Sequence, residues 1–215
     1  MPKDYATSIP SGAWKYATVD DLGKAAKDWP QINFVIYHSA IRAFLVPLEP
    51  ELAEFEKSGT IRWVSDLAAI AEKYGVSNVY GEIGTSFATT VVTSPHFCAA
   101  MLGTLIKGLG TDHVVWGTDS MWYGSPQWQI EAMRRLEIPE DMQRKYGFAP
   151  LGGANSVVKQ LIFGANATRL YRINLKAAEN TEMPAYSEDR LASLKNEYEL
   201  AKEPSNLRYG YVRAG

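Results

Sequence analysis

The apolar positions of the chain gather into short dense runs, separated by longer stretches in which they recur at helical spacing. Three runs stand out: "INFVIYH" ending at His38, "NVYGEIG" around Glu82, and "HVVWGTD" ending at Asp119. Each is rich in β-branched and aromatic residues and short enough for a strand. None alternates strictly, which suits strands buried on both faces of a parallel sheet. Between them the period lengthens. In "RWVSDLAAIAEKYG", Trp63, Leu67, Ile70 and Tyr74 share one helical face and Gly75 ends the run. "TVDDLGKAAKDWP" offers Thr18 as N-cap, Asp21 three residues on and Pro30 beyond the end. "SPHFCAAMLGTLIKGLG" and "SPQWQIEAMRRLEIP" each begin with a capping serine, Ser94 or Ser125, and a proline at the first helical position. "EDMQRKYG" and "GANSVVKQLIFGANATRLYRI" add two more helical segments.

This alternation predicts an α/β fold with three parallel strands, at about 33–38, 78–83 and 113–118, joined by helical crossovers. The opening "MPKDYATSIPSGAWKY", punctuated by Pro2, Pro10 and Gly12, reads as loop. From about Asn174 the chain turns polar. "SEDRLASLKNEYELAK" predicts an amphipathic helix capped by Ser187, and a tail follows from Asn206. The expected division is a main domain over 1–173 and a helical extension with tail over 174–215. "GGANS" at Gly152 lacks the strand-to-helix context of a phosphate loop.

Composition narrows the function classes. The chain has 215 residues, 46% hydrophobic and 21% charged, enough for one globular domain with a sizeable core. A net charge of -2 gives no footing for nucleic acid or an anionic membrane, which leaves a small molecule as the expected substrate. No run is long and apolar enough to span a bilayer. The first residues lack the basic-then-apolar order of a signal peptide, so a cytoplasmic location is the expectation. Cys98 is the single cysteine, which excludes an intrachain disulfide and a four-cysteine zinc site.

The three strands share a chemical feature. Each carries an ionisable residue near its carboxyl end: His38, Glu82 and Asp119. Parallel α/β folds bind ligands at that end, and adjacent strands lie only ~4.8 Å apart, so the three side chains should converge. Imidazole with carboxylate serves either a divalent metal or general acid–base chemistry. Each also has a plainer reading. His38 could be a core histidine bonded to backbone, Asp119 could cap a turn, and Glu82, between Gly81 and Gly84, could only bond amides at a bend. Arg42 could orient an anionic substrate, or face solvent or a helix end. Trp122, Tyr123 and Trp128 could line an aromatic pocket or pack the last helix. His113, at the start of its strand, belongs to the opposite, stability side of the sheet. His96, in the first turn of a helix, and Trp116, in a sheet face, read as structural.

These motifs resemble the metal-dependent amidohydrolase-related family. "DWPQINFVIYHSA" looks like its sixth strand, "NVYGEIGTSFA" is similar to its seventh, and "HVVWGTDSMW" to its eighth, where the aspartate is a metal ligand and often a proton carrier. "IFGANATRLYRI" resembles the closing helix, with its Gly-x-Asn-Ala-x-Arg-Leu pattern. The match runs from about Trp14 to Ile173. The resemblance implies the C-terminal portion of a (β/α)8 TIM barrel with a metal at its mouth, zinc or alternatively manganese. It implies hydrolysis of C–N or C–O bonds, or non-oxidative decarboxylation. Asp119 would be the last-strand metal ligand. His38 would be a second ligand or the residue that polarises the substrate. Glu82 has no firm role in the family; from their positions Glu82, Arg42, Trp122 and Tyr123 are the candidate substrate contacts.

The sequence also departs from the family. The first-strand His-x-His pair and the fifth-strand histidine have no counterpart, since His38 is the first histidine of the chain. "MPKDY" looks like the loop after the fifth strand, so the expectation is a C-terminal part of a barrel, weak or inactive alone. Three strands cannot close a barrel. The edges at 33–37 and 113–117 would be unpaired, which implies a second copy or an N-terminal barrel chain as partner. The rival reading is a complete, non-enzymatic α/β module that binds a small ligand without metal, or a subunit that completes a barrel.

Overall fold

The three apolar runs form one parallel sheet in the computed structural model, with strand order β1-β2-β3. β1 is Phe34–Ile36, β2 is Val79–Glu82 and β3 is Val114–Val115. Phe34 pairs with Val79 and Ile36 with Gly81; Gly81 then pairs with Val114 and Glu82 with Val115. The structure describes residues 18–40 and 47–174, with Ser193 and Asn196 individually. The opening loop, Arg42 and the helix expected from Ser187 lie outside the described residues, apart from those two positions. No described helix is long and apolar enough to cross a membrane.

The strands are shorter than their sequence patterns suggested, for a reason at each end. β1 stops at Ile36 because the next turn, Tyr37–Ala40, swings His38, Ser39 and Ala40 into left-handed backbone. β3 starts only at Val114 because Thr111–His113 form a tight helical turn. The central β2 is buried at all four positions, as a strand covered on both faces must be.

The helices are α1 (Leu22–Asp28), α2 (Leu48–Ser58), α3 (Val64–Ala68), α4 (Ile70–Tyr74), α5 (Gly84–Thr93) and α6 (Pro95–Leu109). After β3 come α7 (Ser120–Tyr123), α8 (Gln127–Arg135), α9 (Glu140–Tyr146), α10 (Val157–Gln160) and α11 (Asn166–Leu170). The single helix expected over 62–75 is broken at Ala69 into α3 and α4. Thr18 does not cap α1: its hydroxyl bonds Asp20 instead, and the helix begins after Asp21 without a side-chain cap. Pro126 precedes α8 rather than opening it. Two helices carried no helical signal in the sequence. α2 is led by Pro47 and Pro50, and α5 is rich in threonine and valine, which favour strands. In α5 the threonine hydroxyls turn back onto the helix, Thr89 to the Thr85 carbonyl at 2.7 Å and Thr90 to that of Ser86 at 2.6 Å. Phe87, Ala88, Thr90 and Val91 are buried.

α6 is the core helix. Phe97, Met101, Leu102 and Leu105 are fully buried, and each contributes ~1.5–3 kcal/mol by leaving water. It packs on α3 and against β2 and β3. The approach to α3 depends on Gly108, where a Cβ would fall 2.3 Å from the Ala68 carbonyl oxygen.

The outer edge of β3 is partly occupied, contrary to the sequence expectation. The Trp116 N–H donates to the Ile162 carbonyl at 3.1 Å. Asn166 Nδ2 donates to the carbonyls of Thr111 and Val114, each at 2.8 Å. Trp116 itself packs edge-on against Phe87 and Phe163, as a core residue should. His113 lies in the turn just before β3. Its ring stacks on Tyr80 at 4.6 Å, and its Nε2 lies 2.8 Å from the Ser77 carbonyl. Beside it, burial pushes the Asp112 carboxyl up, but the His113 hydrogen bond and the charges of His113 and Arg169 outweigh this and hold it below its ordinary value.

Candidate functional site

β2 ends at Glu82, and the sheet's carboxyl edge is organised around that residue. Its side chain is 9% exposed. Oε2 accepts the His38 N–H at 2.9 Å and Oε1 accepts the Gly84 N–H at 2.7 Å. The Ser39 hydroxyl donates to the Glu82 main-chain carbonyl at 2.9 Å. One carboxylate therefore fixes both the turn after β1 and the start of α5. The plainer reading of Glu82, an acid that bonds amides at a bend, describes these contacts.

That seat is dry. Burial pushes the Glu82 carboxyl up. The two N–H bonds and the His38 charge pull it down, Asp119 adds a further push, and the net direction is upward. Between the ordinary glutamate value and this raised one, the folded chain binds a proton that the unfolded chain does not. The contribution of Glu82 to stability therefore falls as pH rises through that window, and is largest below it. Carboxyl-carbon NMR should place the Glu82 midpoint above the ordinary glutamate value. A midpoint at or below that value would contradict the burial argument.

His38 and Asp119 flank this seat in strained backbone. His38 has φ 57° and ψ 19°, and Asp119 has φ 48° and ψ 32°. With Ser39 and Ala40 they make four of the six non-glycine residues with positive φ among the described residues. Each such residue costs on the order of 1–2 kcal/mol, and strain of this kind gathers at functional sites. The turn brings the side chains together. His38 Nδ1 lies 3.4 Å from Asp119 Oδ2 and 3.5 Å from Glu82 Oε2. The His38 and Asp119 side chains are 32% and 28% exposed, so a solute can reach both.

The rim is drawn tight by a residue that the sequence reading missed. Thr85, in the first turn of α5, donates its N–H to His38 Nδ1 at 3.2 Å and its hydroxyl to Asp119 Oδ2 at 2.5 Å. The Tyr123 hydroxyl lies 3.4 Å behind it. The only signal was its position, one residue past a glycine that opens the helix after a strand.

The expected aromatic wall divides. Tyr123 faces the rim and, with Trp128, Thr89 and Val92, lines a cleft of about 260 Å³. Trp122 is 77% exposed. Arg42 lies outside the described residues.

A divalent metal asks more of the rim than these residues supply. Zinc takes three or four protein ligands. Both Glu82 oxygens already accept backbone N–H groups, which leaves His38 and Asp119. Among the described residues no group of three His, Cys, Asp or Glu side chains is arranged to hold a metal ion. The described residues do not fit a metal centre by themselves. They do fit proton transfer and hydrogen bonding to a polar solute. No family model, curated protein or solved structure matches the chain.

Proposed function

We propose that the chain forms part of the mouth of an amidohydrolase-like (β/α)8 barrel and supplies the acid–base side of a hydrolase or decarboxylase centre. The observation that carries this reading is the meeting of His38, Glu82 and Asp119, one from the carboxyl end of each parallel strand, within 3.5 Å of the His38 ring. Asp119 is the proton carrier, His38 orients or polarises a substrate oxygen, and Glu82 holds the turn that aims His38. The substrate is a small molecule bearing a C–N or C–O bond to be hydrolysed, or a carboxylate to be lost as carbon dioxide. Zinc or manganese, if the complete barrel uses one, needs ligands from strands other than these three.

The test is complementation. The chain is mixed with one that carries the His-x-His first strand and the fifth-strand histidine, with zinc or manganese added. Hydrolysis of aryl esters and amides, and carbon dioxide release from hydroxybenzoates, are then followed. Alone, the chain should show background rates. The mixture should turn over, and Asp119→Asn and His38→Gln should each slow it by about 100-fold or more, the scale of lost acid–base catalysis. Turnover insensitive to both substitutions would end the reading. Glu82, whose two oxygens each accept a backbone N–H, favours one alternative, a metal-free module that binds a small ligand. A folded mixture that never turns over, with a chain that binds neither zinc nor manganese in equilibrium dialysis, would favour that module.

A further inference from the structure

His38 and Asp119 leave the sheet from different strands, both in left-handed backbone that does nothing to fix their side chains. Thr85 hydrogen-bonds to both. It is the second residue of α5, so its N–H belongs to the first turn, where backbone donors have no acceptor within the helix. The preceding residue is Gly84, and a Cβ there would fall 3.0 Å from Asp119 Oδ2 and 2.6 Å from Glu82 Oε1. The absence of a side chain at 84 lets Thr85 come against the rim.

We propose that Thr85 is the positioning residue of this rim, its hydroxyl orienting the Asp119 carboxylate and its backbone N–H leaving the neutral His38 ring protonated at Nε2. The proposal deepens the functional reading above and rests on Asp119 and His38 as its reacting groups.

The argument for Asp119 is one of geometry and charge. A hydroxyl that donates to a carboxylate makes a charge-assisted bond, about twice as strong as a neutral one. The Thr85 oxygen in turn lies within reach of the Tyr123 hydroxyl at 3.4 Å, so the chain of donors runs Tyr123 to Thr85 to Asp119. Strengthening along such a chain holds the carboxylate in one orientation.

The argument for His38 is one of proton count. A neutral imidazole has one N–H and one bare nitrogen. Nδ1 is aligned to accept the Thr85 N–H, so the proton is on Nε2. Asp119 Oδ2 and Glu82 Oε2, at 3.4 and 3.5 Å from Nδ1, are the competing acceptors, and they would claim Nδ1 only if it carried a proton. With Thr85 in place, neutral His38 offers a hydrogen-bond donor at Nε2. That suits a group that polarises a substrate oxygen. It does not suit a nitrogen that binds metal, which must be bare. The two roles left open for His38 are thereby separated.

Two substitutions separate the two halves of the proposal. Thr85→Val keeps the size and the backbone N–H but removes the hydroxyl; Thr85→Ser restores the hydroxyl. In the full chain, the three-bond couplings to the Asp119 carboxyl carbon should show one side-chain rotamer in the wild type and in Thr85→Ser. They should show averaging over rotamers in Thr85→Val, with the amide spectrum elsewhere unchanged. A single Asp119 rotamer in Thr85→Val overturns the orienting role. If Thr85→Val fails to fold, Tyr123→Phe is the second probe: it leaves Thr85 in place but removes the donor behind it, and should broaden the Asp119 rotamer distribution. An unchanged distribution then overturns the orienting role. Ring-nitrogen NMR of neutral His38 should show the proton on Nε2 in wild type and Thr85→Ser alike. A proton on Nδ1 overturns the second half. These readouts need no turnover, so they stand or fall apart from the complementation assay.

Discussion

Alanine at position 117 is expected to unseat Glu82 and to destabilise the chain by about 3 kcal/mol, the upper range for overpacking a tight site. A Cβ on Gly117 would fall 1.6 Å from Glu82 Oε1, 2.8 Å from its carboxyl carbon and 3.3 Å from the Gly84 Cα. Neither neighbour yields cheaply. Glu82 is held by the N–H groups of His38 and Gly84, and each would be left without its acceptor, at about 1–3 kcal/mol apiece if buried. Gly84 opens α5, so moving it moves the helix. Urea denaturation should show the loss, and Gly164→Ala, where an added Cβ meets nothing within 4 Å, is the control. The cause can be isolated. In a Glu82→Ala background the two shortest contacts are gone and only the 3.3 Å approach to the Gly84 Cα remains, so Gly117→Ala should cost much less there, a non-additivity expected of residues in contact. A Gly117→Ala chain within about 0.5 kcal/mol of wild type, the size of an ordinary surface change, would refute the packing argument.

The same residues explain what the sequence made legible. Strand order and parallel pairing were visible, because β-branched runs alternated with helix signals and left few other topologies. The convergence of His38, Glu82 and Asp119 was visible too, because each closes its run and adjacent strands place such ends side by side. The lengths of the strands were not. Nothing in "YHSA" announces three consecutive left-handed residues, which exist because Glu82 and Thr85 hold them there. Thr85 escaped for a related reason. It is neither a common acid–base group nor part of the apolar pattern, and its role depends on how close Gly84 lets the helix come. α5 escaped because its threonines favour strands until their hydroxyls find carbonyls in their own helix. In the "YHSA" turn and at Thr85 the local pattern was overruled by contacts between distant segments, and both lie at the site.

The second large effect lies away from the rim, at a cation sealed in the fold. Lys159 is fully buried, and its ammonium donates to the Arg134 carbonyl at 3.0 Å and to Glu137 Oε1 at 3.1 Å. The other Glu137 oxygen accepts the Gly152 N–H at 3.1 Å. Glu137→Ala removes the counter-charge and leaves a buried ammonium with one neutral acceptor. The expected cost is about 3 kcal/mol, the low end for breaking a buried pair because Glu137 is half exposed and water can partly replace it. Lys159→Met removes the charge and keeps the length, and the half-exposed Glu137 can turn to solvent. It should cost about 1 kcal/mol or less, since apolar replacement of a buried ion is often neutral. The ordering is the test. Glu137→Ala should be worse than Lys159→Met, and adding Lys159→Met to Glu137→Ala should recover stability. Denaturation midpoints that put Lys159→Met at or below Glu137→Ala would show that the ammonium itself, and not its neutralisation, holds the segment. The segment matters because α10 carries Lys159 directly into the turn whose Ile162 carbonyl accepts the Trp116 N–H beside β3. Loosening it should therefore free the edge of the strand that leads to Asp119, and amide exchange at Trp116 should quicken in Glu137→Ala before the chain unfolds as a whole.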